Sequence, residues 1–118
     1  MFDFEKLTVY IKIKELNKEI LFFLKLNKNI DPFLKNQLKR ASISIVINIA
    51  EGSGRFTKPD KKNFYIIARG STYECVSILD IIKDEKYIFE DEFLKFYKKF
   101  EEISKMLLGL IHSQAKQF

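Results

Sequence analysis

The chain contains few of the residues that cross-link, break or anchor a fold. Its 118 residues include one Cys, two Pro, four Gly and no Trp. A single Cys excludes an internal disulfide, which fits a reducing cytoplasm. No apolar run approaches the roughly 20 residues of a transmembrane helix, and the N-terminus lacks the basic-then-apolar pattern of a signal peptide. These absences predict a cytoplasmic protein without a membrane segment.

Length and composition predict one folded domain over residues 1–118. Apolar residues make up 47% of the chain and charged residues 31%, proportions typical of a globular protein. The chain is long enough to bury a core but short for two domains. Few Gly and Pro, together with many Leu, Ile, Lys, Glu and Phe, favour helices joined by short connections.

Apolar residues at three- and four-residue steps predict four helices, over about 5–28, 32–53, 58–86 and 90–115. The predicted buried stripes are Leu7, Ile11, Leu16, Ile20, Phe23 and Leu24 in the first helix; Leu34, Leu38, Ala41, Ile45 and Ile49 in the second; Phe64, Ile67, Ser71, Ile78 and Ile82 in the third; and Phe93, Phe96, Phe100, Ile103, Leu107 and Leu110 in the fourth. Short connections predict an all-α, up-down-up-down antiparallel four-helix bundle.

Local signals mark the predicted helix ends. Asp31 before Pro32 is a strong N-terminal signal, because Asp caps free amides and Pro fits the first helical position. Thr57 marks the next start in the same way. Gly52 and Gly54 are expected to end the second helix by adopting a left-handed turn.

The second helix carries a further apolar stripe, formed by Ile43, Ile47 and Ala50. An ordinary surface helix needs only one such stripe. A helix that is apolar on two faces must be covered on two sides, either by its own chain or by other copies. This pattern indicates an assembly.

Positive charge is concentrated in the first half of the chain. Residues 1–62 hold 13 Lys and Arg against 7 Asp and Glu, whereas residues 63–118 hold 8 against 9. Grouped cations repel one another unless an anion such as phosphate relieves them; the alternative is a solvated face that keeps the protein soluble. The candidate nucleic-acid-binding residues are Lys35, Lys39, Arg40, Arg55, Lys58, Lys61 and Lys62, with Lys12, Lys14 and Lys18 on the first helix in addition.

A second group of polar residues, Asn48, Glu51, Arg69 and Glu74, is predicted to be structural. Glu51 and Arg55 have the favourable spacing of an exposed helical ion pair. If the group is buried, Glu51 is expected to pair with Arg69 on the third helix, with Asn48 bonding to groups nearby. Whether the cluster faces the interior or another subunit is open. Gly70, in the middle of a helix, is expected to allow close helix packing.

No residue set predicts catalysis, a metal or a cofactor. His112 is the only histidine and Cys75 the only cysteine, and together they do not supply the three or four ligands of a metal site. The Gly52–Arg55 segment follows a helix and lacks the Lys-Ser/Thr ending of a phosphate-binding loop. The sequence therefore predicts no metal, no cofactor and no enzymatic activity.

Two sequence blocks carry a family resemblance. The first is Arg40-Ala-Ser-Ile-Ser-Ile-Val-Ile-Asn-Ile-Ala-Glu-Gly52 with Arg55, and the second is Phe64 followed by Ala68-Arg-Gly-Ser71 and Glu74. With Phe4–Leu7 and Met106–Ile111, they resemble the four-helix-bundle proteins encoded in intervening sequences of bacterial 23S ribosomal RNA genes. Val46 stands where that family usually has Pro, and Ile47 stands where it has a small residue. A straighter second helix is therefore expected.

The resemblance has functional implications. That family is similar to the accessory protein of diversity-generating retroelements, a homopentameric barrel whose basic surface engages nucleic acid. It implies a bacterial homopentamer without known catalysis.

Two functional hypotheses follow from the residues and the resemblance together. In the first, the protein binds the RNA or DNA backbone without sequence readout. In the second, it is a protein–protein interaction or assembly module, whose partner is encoded nearby.

Overall fold

The computed structural model describes residues 1–115, which form one 3-10 turn and four α-helices, with no β-strand in that range. The 3-10 turn is Asp3–Lys6. The helices are α1 (Thr8–Leu26), α2 (Pro32–Ser53), α3 (Lys58–Asp84) and α4 (Glu90–Ala115). The four predicted helices and the all-α class are confirmed, and α2 is continuous through Val46. None of the described helices is both long and apolar enough to cross a bilayer.

The first helix begins later than the sequence predicted. It starts at Thr8 rather than Glu5, because Leu7 is extended (φ −76°, ψ 124°) and separates α1 from the preceding turn. That turn is closed by a 2.7 Å hydrogen bond from the Phe2 amide to the Glu5 carboxylate. The Glu5 carboxylate therefore accepts a hydrogen bond from the Phe2 amide, and Glu5 belongs to the turn before α1.

The caps predicted for α2 and α3 are confirmed. The Phe33 amide donates to Asp31 Oδ1 over 2.7 Å, and the Asp60 amide donates to Thr57 Oγ1 over 3.2 Å. The predicted left-handed Gly after α2 is wrong, since Gly54 has φ −89°. The described residue with left-handed backbone is Lys86, with φ 64°, which follows α3.

All four helices contribute to one hydrophobic core. Phe100, Ile13, Leu16, Ile45 and Ile82 are among its largest fully buried side chains. The predicted stripe of α4 is confirmed from Phe93 to Leu107. Two predicted core positions are wrong: Ile11 is 54% exposed and Ile67 is 51% exposed. Val9 and Ile13 in α1, and Ala68 in α3, are buried instead.

Helix α2 packs extensively on α3, and α3 on α4, while α1 packs against α2 and α4. Two ion pairs connect α1 to α4: Lys12 with Glu102 over 3.2 Å and Lys99 with Glu19 over 2.7 Å. Lys12 and Lys99 are thus neutralised by carboxylates of the neighbouring helix.

Candidate nucleic-acid interface

The positive charge of the protein is localised on α2 and the beginning of α3. Residues 32–62 contain seven Lys and Arg and two Asp and Glu, a net charge of +5, which equals the net charge of the whole chain. All seven predicted nucleic-acid-binding residues lie in this segment. The rest of the chain is neutral as a whole, so any attraction for a polyanion originates from this segment.

The seven cations form two groups along α2. Lys35, Lys39 and Arg40 lie in its first half, while Arg55, Lys58, Lys61 and Lys62 surround its end and the start of α3. From Arg40 to Ser53 the helix rises by about 20 Å at 1.5 Å per residue. We name these groups the α2 patch (Lys35, Lys39 and Arg40) and the connection patch (Arg55, Lys58, Lys61 and Lys62).

Two residues of the connection patch have structural contacts. The Lys61 ammonium donates to the Ser53 carbonyl over 2.7 Å, and so satisfies a carbonyl at the end of α2. The Arg55 guanidinium lies 4.4 Å from the centroid of the Phe64 ring and 3.8 Å from the Glu51 carboxylate. These contacts fix the connection between α2 and α3 and leave both cations partly exposed to solvent.

Four of the candidate cations have no acidic partner within residues 1–115. Lys35, Lys39, Arg40 and Lys62 form none of the ion pairs there, whereas Lys12, Lys83 and Lys99 are paired. Of the remaining α1 candidates, Lys14 lies 5.7 Å from the Tyr10 ring centroid and Lys18 is exposed. Lysines elsewhere, such as Lys25 and Lys98, also form none of these ion pairs, so it is the net charge of residues 32–62 that distinguishes α2 and the start of α3.

The predicted Glu51–Arg69 pair is wrong. Glu51 is exposed and pairs with Arg55 one turn later, as the alternative helical pairing predicted. Arg69 donates to the Ser104 carbonyl over 3.3 Å and to the Tyr73 hydroxyl over 3.1 Å, and its guanidinium lies 5.0 Å from the Tyr73 ring centroid. Arg69 therefore connects α3 to α4 and makes no ion pair with Glu51. Glu74 is exposed.

Asn48 has the structural role expected of it. Its amide nitrogen donates to the Ser44 carbonyl over 2.8 Å and contacts Ser44 Oγ at 3.0 Å. Ser44 Oγ in turn lies 2.9 Å from Ser71 Oγ on α3. This serine pair between helices was not predicted from the sequence, although two small polar residues on facing apolar helices were a signal for it.

The close helix approach occurs at Gly52, and the prediction of one at Gly70 is wrong. A Cβ atom at Gly70 would have no neighbour within 4 Å, whereas one at Gly52 would lie 2.8 Å from Tyr65 Cε1 and 2.9 Å from Phe64 Cβ. Gly52 is buried where α2 and α3 converge towards their connection. Its role is to allow that convergence.

Cys75 and His112 differ in their exposure to solvent. Cys75 is completely buried, and burial, together with the nearby charge of Glu74, raises the pKa of its thiol. His112 is exposed near the end of α4. No group of three His, Cys, Asp or Glu residues among those described could hold a metal ion.

A groove of about 520 Å³ lies between α3 and α4. Tyr73, Val76, Tyr97 and Phe100 supply its apolar and aromatic lining, and Asp80 and Glu101 supply its charged groups. None of the candidate cations lines it. The groove therefore has the opposite charge from the α2 and connection patches.

The model of the 23S rRNA-intervening sequence protein family matches residues 5–109. The chain belongs to this family. A search of curated proteins finds no significant match. Among solved structures, a protein of unknown function of the S23 ribosomal protein family from Bacteroides thetaiotaomicron is similar, with a TM-score of 0.81 and 24% identity over 88% of this chain and 98% of that one. At this identity the similarity establishes the fold of this member of the family, and nothing about its ligand.

Proposed function

We propose that this protein binds the backbone of RNA or DNA without catalysing a reaction, through the α2 and connection patches. The observation that carries the proposal is the net charge of +5 within residues 32–62, where Lys35, Lys39, Arg40 and Lys62 lack acidic partners among residues 1–115. Phosphates would neutralise these cations and release counterions, a gain that requires no base recognition.

Residue pairs between helices support an up-down-up-down topology. Lys12 meets Glu102 and Glu19 meets Lys99, so positions later in α1 meet earlier positions in α4. The same reversal relates α2 to α3, where Ser44 meets Ser71 and Ser53 meets Lys61. It also relates α3 to α4, through Arg69 with Ser104 and Lys83 with the Phe93 ring. Antiparallel neighbours place the α2–α3 connection at one end of the bundle.

We further propose that the protein is a homo-oligomer, with the pentamer implied by the family resemblance as the expected state. Ile43 and Ile47, one turn apart on α2, are 41% and 48% exposed in the single chain. Arg40 lies on the same exposed strip. Burying these isoleucines against a second copy would remove apolar surface from water and would repeat the basic patches around an axis, which increases avidity for a long polyanion.

A cytoplasmic location and the absence of a cofactor are part of the same proposal. The single Cys is a buried thiol, in keeping with a reducing compartment. The groove between α3 and α4 is lined by hydroxyl and carboxylate groups, among them Ser77, Ser104, Asp80 and Glu101, and by no Cys, His or Lys. Within residues 1–115 none of these hydroxyls is hydrogen-bonded to a carboxylate, so the groove does not present the paired nucleophile and base that would suggest an enzyme.

Binding of labelled structured RNA and duplex DNA across a salt series tests the proposal. The logarithm of the affinity is expected to fall linearly with the logarithm of the salt concentration. The slope of that line should correspond to several phosphates neutralised by the protein. The double variants Lys39→Glu/Arg40→Glu and Lys58→Glu/Lys62→Glu are expected to lower the affinity for all sequences. Lys98→Glu/Lys105→Glu on α4 changes the net charge equally and serves as the matched control. Equal losses of affinity in all three double variants would show that binding depends on the net charge of the protein and not on the two patches, which would contradict the proposed interface. An absence of binding at low salt would contradict the proposal as a whole.

The second candidate function is an assembly or protein-interaction module. The exposed Ile43 and Ile47 favour it, because the same strip could receive a different protein, encoded nearby. A defined complex with such a protein, formed by a wild-type chain that binds neither RNA nor DNA, would establish this function in place of the first. Ile43→Ser/Ile47→Ser would then abolish the complex.

A further inference from the structure

Phe56 is the most exposed of the large apolar side chains in the described chain. It lies in the connection between α2 and α3, residues 54–57, and its side chain is fully open to solvent, with a relative exposure of 103%. A single exposed apolar residue is common on protein surfaces and by itself requires no explanation. What distinguishes Phe56 from the other exposed apolar residues is its surroundings.

The backbone on both sides of Phe56 is held by specific contacts. Before it, the Arg55 amide donates to the Gly52 carbonyl over 3.2 Å, and the Arg55 guanidinium stacks on Phe64. After it, Thr57 caps α3, and the Lys61 ammonium donates a hydrogen bond to the Ser53 carbonyl. The Phe56 ring is thus projected from a fixed connection rather than a loose loop. Because the backbone is already held, stacking of a ligand would order only the side-chain torsions of the exposed ring.

The charge around Phe56 favours an anionic ligand. The connection patch places four cations between residues 55 and 62, against Glu51, which is paired with Arg55, and Asp60. A cleft of about 310 Å³ borders the ring on one side, and its charged lining is Glu51, Arg55 and Asp60. The other three cations of the patch, Lys58, Lys61 and Lys62, lie outside this cleft at the start of α3. Phe89 is the contrasting case: it is 82% exposed but is followed by Glu90, Asp91 and Glu92.

We infer that Phe56 is a stacking platform for an unpaired nucleobase, with the neighbouring phosphates bound by the connection patch. An exposed aromatic ring within a basic surface is the combination by which proteins bind single-stranded nucleic acid without sequence preference. A base within a duplex has no free face to offer, so the ligand is a single strand, a loop or an end. This inference rests on the proposed function and specifies its ligand class.

Fluorescence of Phe56→Trp tests the stacking directly, because the chain has no Trp of its own. The variant is titrated with a 12-nucleotide oligouridine, and binding of the same oligonucleotide is followed independently by anisotropy of an attached dye. The indole emission is expected to be quenched in step with binding. Phe89→Trp, at a position that is also highly exposed but beside acidic residues, is the matched control and is expected to keep its emission. Binding without quenching of the Phe56→Trp emission would overturn the inference.

Affinity measurements with Phe56→Ala separate stacking from backbone attraction. Loss of one base–aromatic stack is expected to weaken oligouridine binding at least about fivefold, while affinity for duplex DNA stays the same. Phe89→Ala is expected to change neither. An equal loss for single strand and duplex, or no loss, would overturn the inference. If the stacking inference is overturned but Lys58→Glu/Lys62→Glu still lowers the affinities for single strand and duplex, the proposed function stands without the inference. If the wild type binds neither nucleic acid, the proposed function and the inference are both wrong.

Light scattering of Phe56→Ala excludes a competing explanation. The expected result is a molar mass identical to that of the wild type at equal concentration. A lower mass would show that the ring is buried against another copy, and would overturn the stacking inference.

Discussion

Gly52 of α2 lies against the Tyr65 ring of α3 with no space for a side chain. A Cβ atom there would lie 2.8 Å from Tyr65 Cε1 and 2.9 Å from Phe64 Cβ. The second of these atoms is close to the backbone of α3 and cannot rotate away. The two helices therefore approach one another as closely as they do because position 52 carries no side chain.

Gly52→Ala is expected to lower the free energy of unfolding by about 1–3 kcal/mol, the usual cost of overpacking a core. Urea denaturation at a fixed protein concentration measures it. Gly54→Ala is the control, because its Cβ would have ordinary contacts, the nearest 3.6 Å away from the Glu51 carbonyl oxygen. A stability of Gly52→Ala equal to that of Gly54→Ala would contradict the close approach.

Gly70→Ala is expected to have the opposite effect. Position 70 is exposed within α3, and a methyl group there would have no neighbour within 4 Å. Ala loses less backbone entropy than Gly in a helix, so the unfolding free energy should rise by about 0.5–1 kcal/mol. Thermal unfolding at several protein concentrations measures the change. Destabilisation that grows with concentration would instead indicate that another copy packs against this position.

Lys86→Gly is expected to stabilise the connection between α3 and α4. Lys86 has φ 64°, and its amide and that of Tyr87 donate to the Lys83 and Ile82 carbonyls. This arrangement closes a helix with a left-handed residue, a conformation that costs a non-glycine residue about 1 kcal/mol. A gain of about 0.5–1 kcal/mol in guanidinium denaturation is expected. Lys86→Ala, which keeps the strain, should give no comparable gain.

The buried thiol of Cys75 is expected to make stability depend on alkaline pH. Burial raises its pKa in the folded state, so the unfolded chain loses this proton first, at a pKa near 8.5. Its contribution is fully present below that pH and is lost as pH rises towards the folded pKa. At pH 9.5 the unfolding free energy should have fallen by about 1.4 kcal/mol on this account.

Cys75→Ala provides the comparison for that prediction. Unfolding free energies of the two chains, measured from pH 7 to 9.5, should converge as pH rises, because only the wild type loses the thiol contribution. The pKa of Tyr65 is also raised by burial, but a phenol with an ordinary pKa near 10 affects both chains equally. If the unfolding free energies of the two chains instead changed in parallel with pH, the alkaline loss of stability could not be due to Cys75.

Local features of this fold could be predicted from the sequence. Asp31 and Thr57 cap the helices that follow them because a cap depends on residues two or three positions away. The α4 stripe could also be predicted, because its apolar residues follow one another at steps of three and four and therefore lie on a single face of the helix. In α1 and α3 the apolar residues are spread more widely around the helix. Periodicity therefore could not distinguish the exposed Ile11 from the buried Ile13, or Ile67 from Ala68.

Contacts between helices were less predictable. Glu51 and Arg69 have suitable charges, but Arg69 lies on the side of α3 that faces Ser104 of α4. Gly52 and Gly70 are indistinguishable by residue type, and only the position of the facing helix decides which of them is crowded. The seven candidate cations were likewise chosen by type. Their division into two patches depends on the length of α2, and Phe56 was not distinguished from the many Phe residues of the core.

The short connection between α2 and α3 has a consequence for the order of folding. These helices form one of the most extensive packing surfaces in the protein, yet only residues 54–57 separate them. Closing so short a loop costs little chain entropy, whereas joining α1 to α4 requires most of the chain to be organised first. The α2–α3 hairpin is therefore expected to be the nucleus on which α1 and α4 condense, with Gly52 at its hinge.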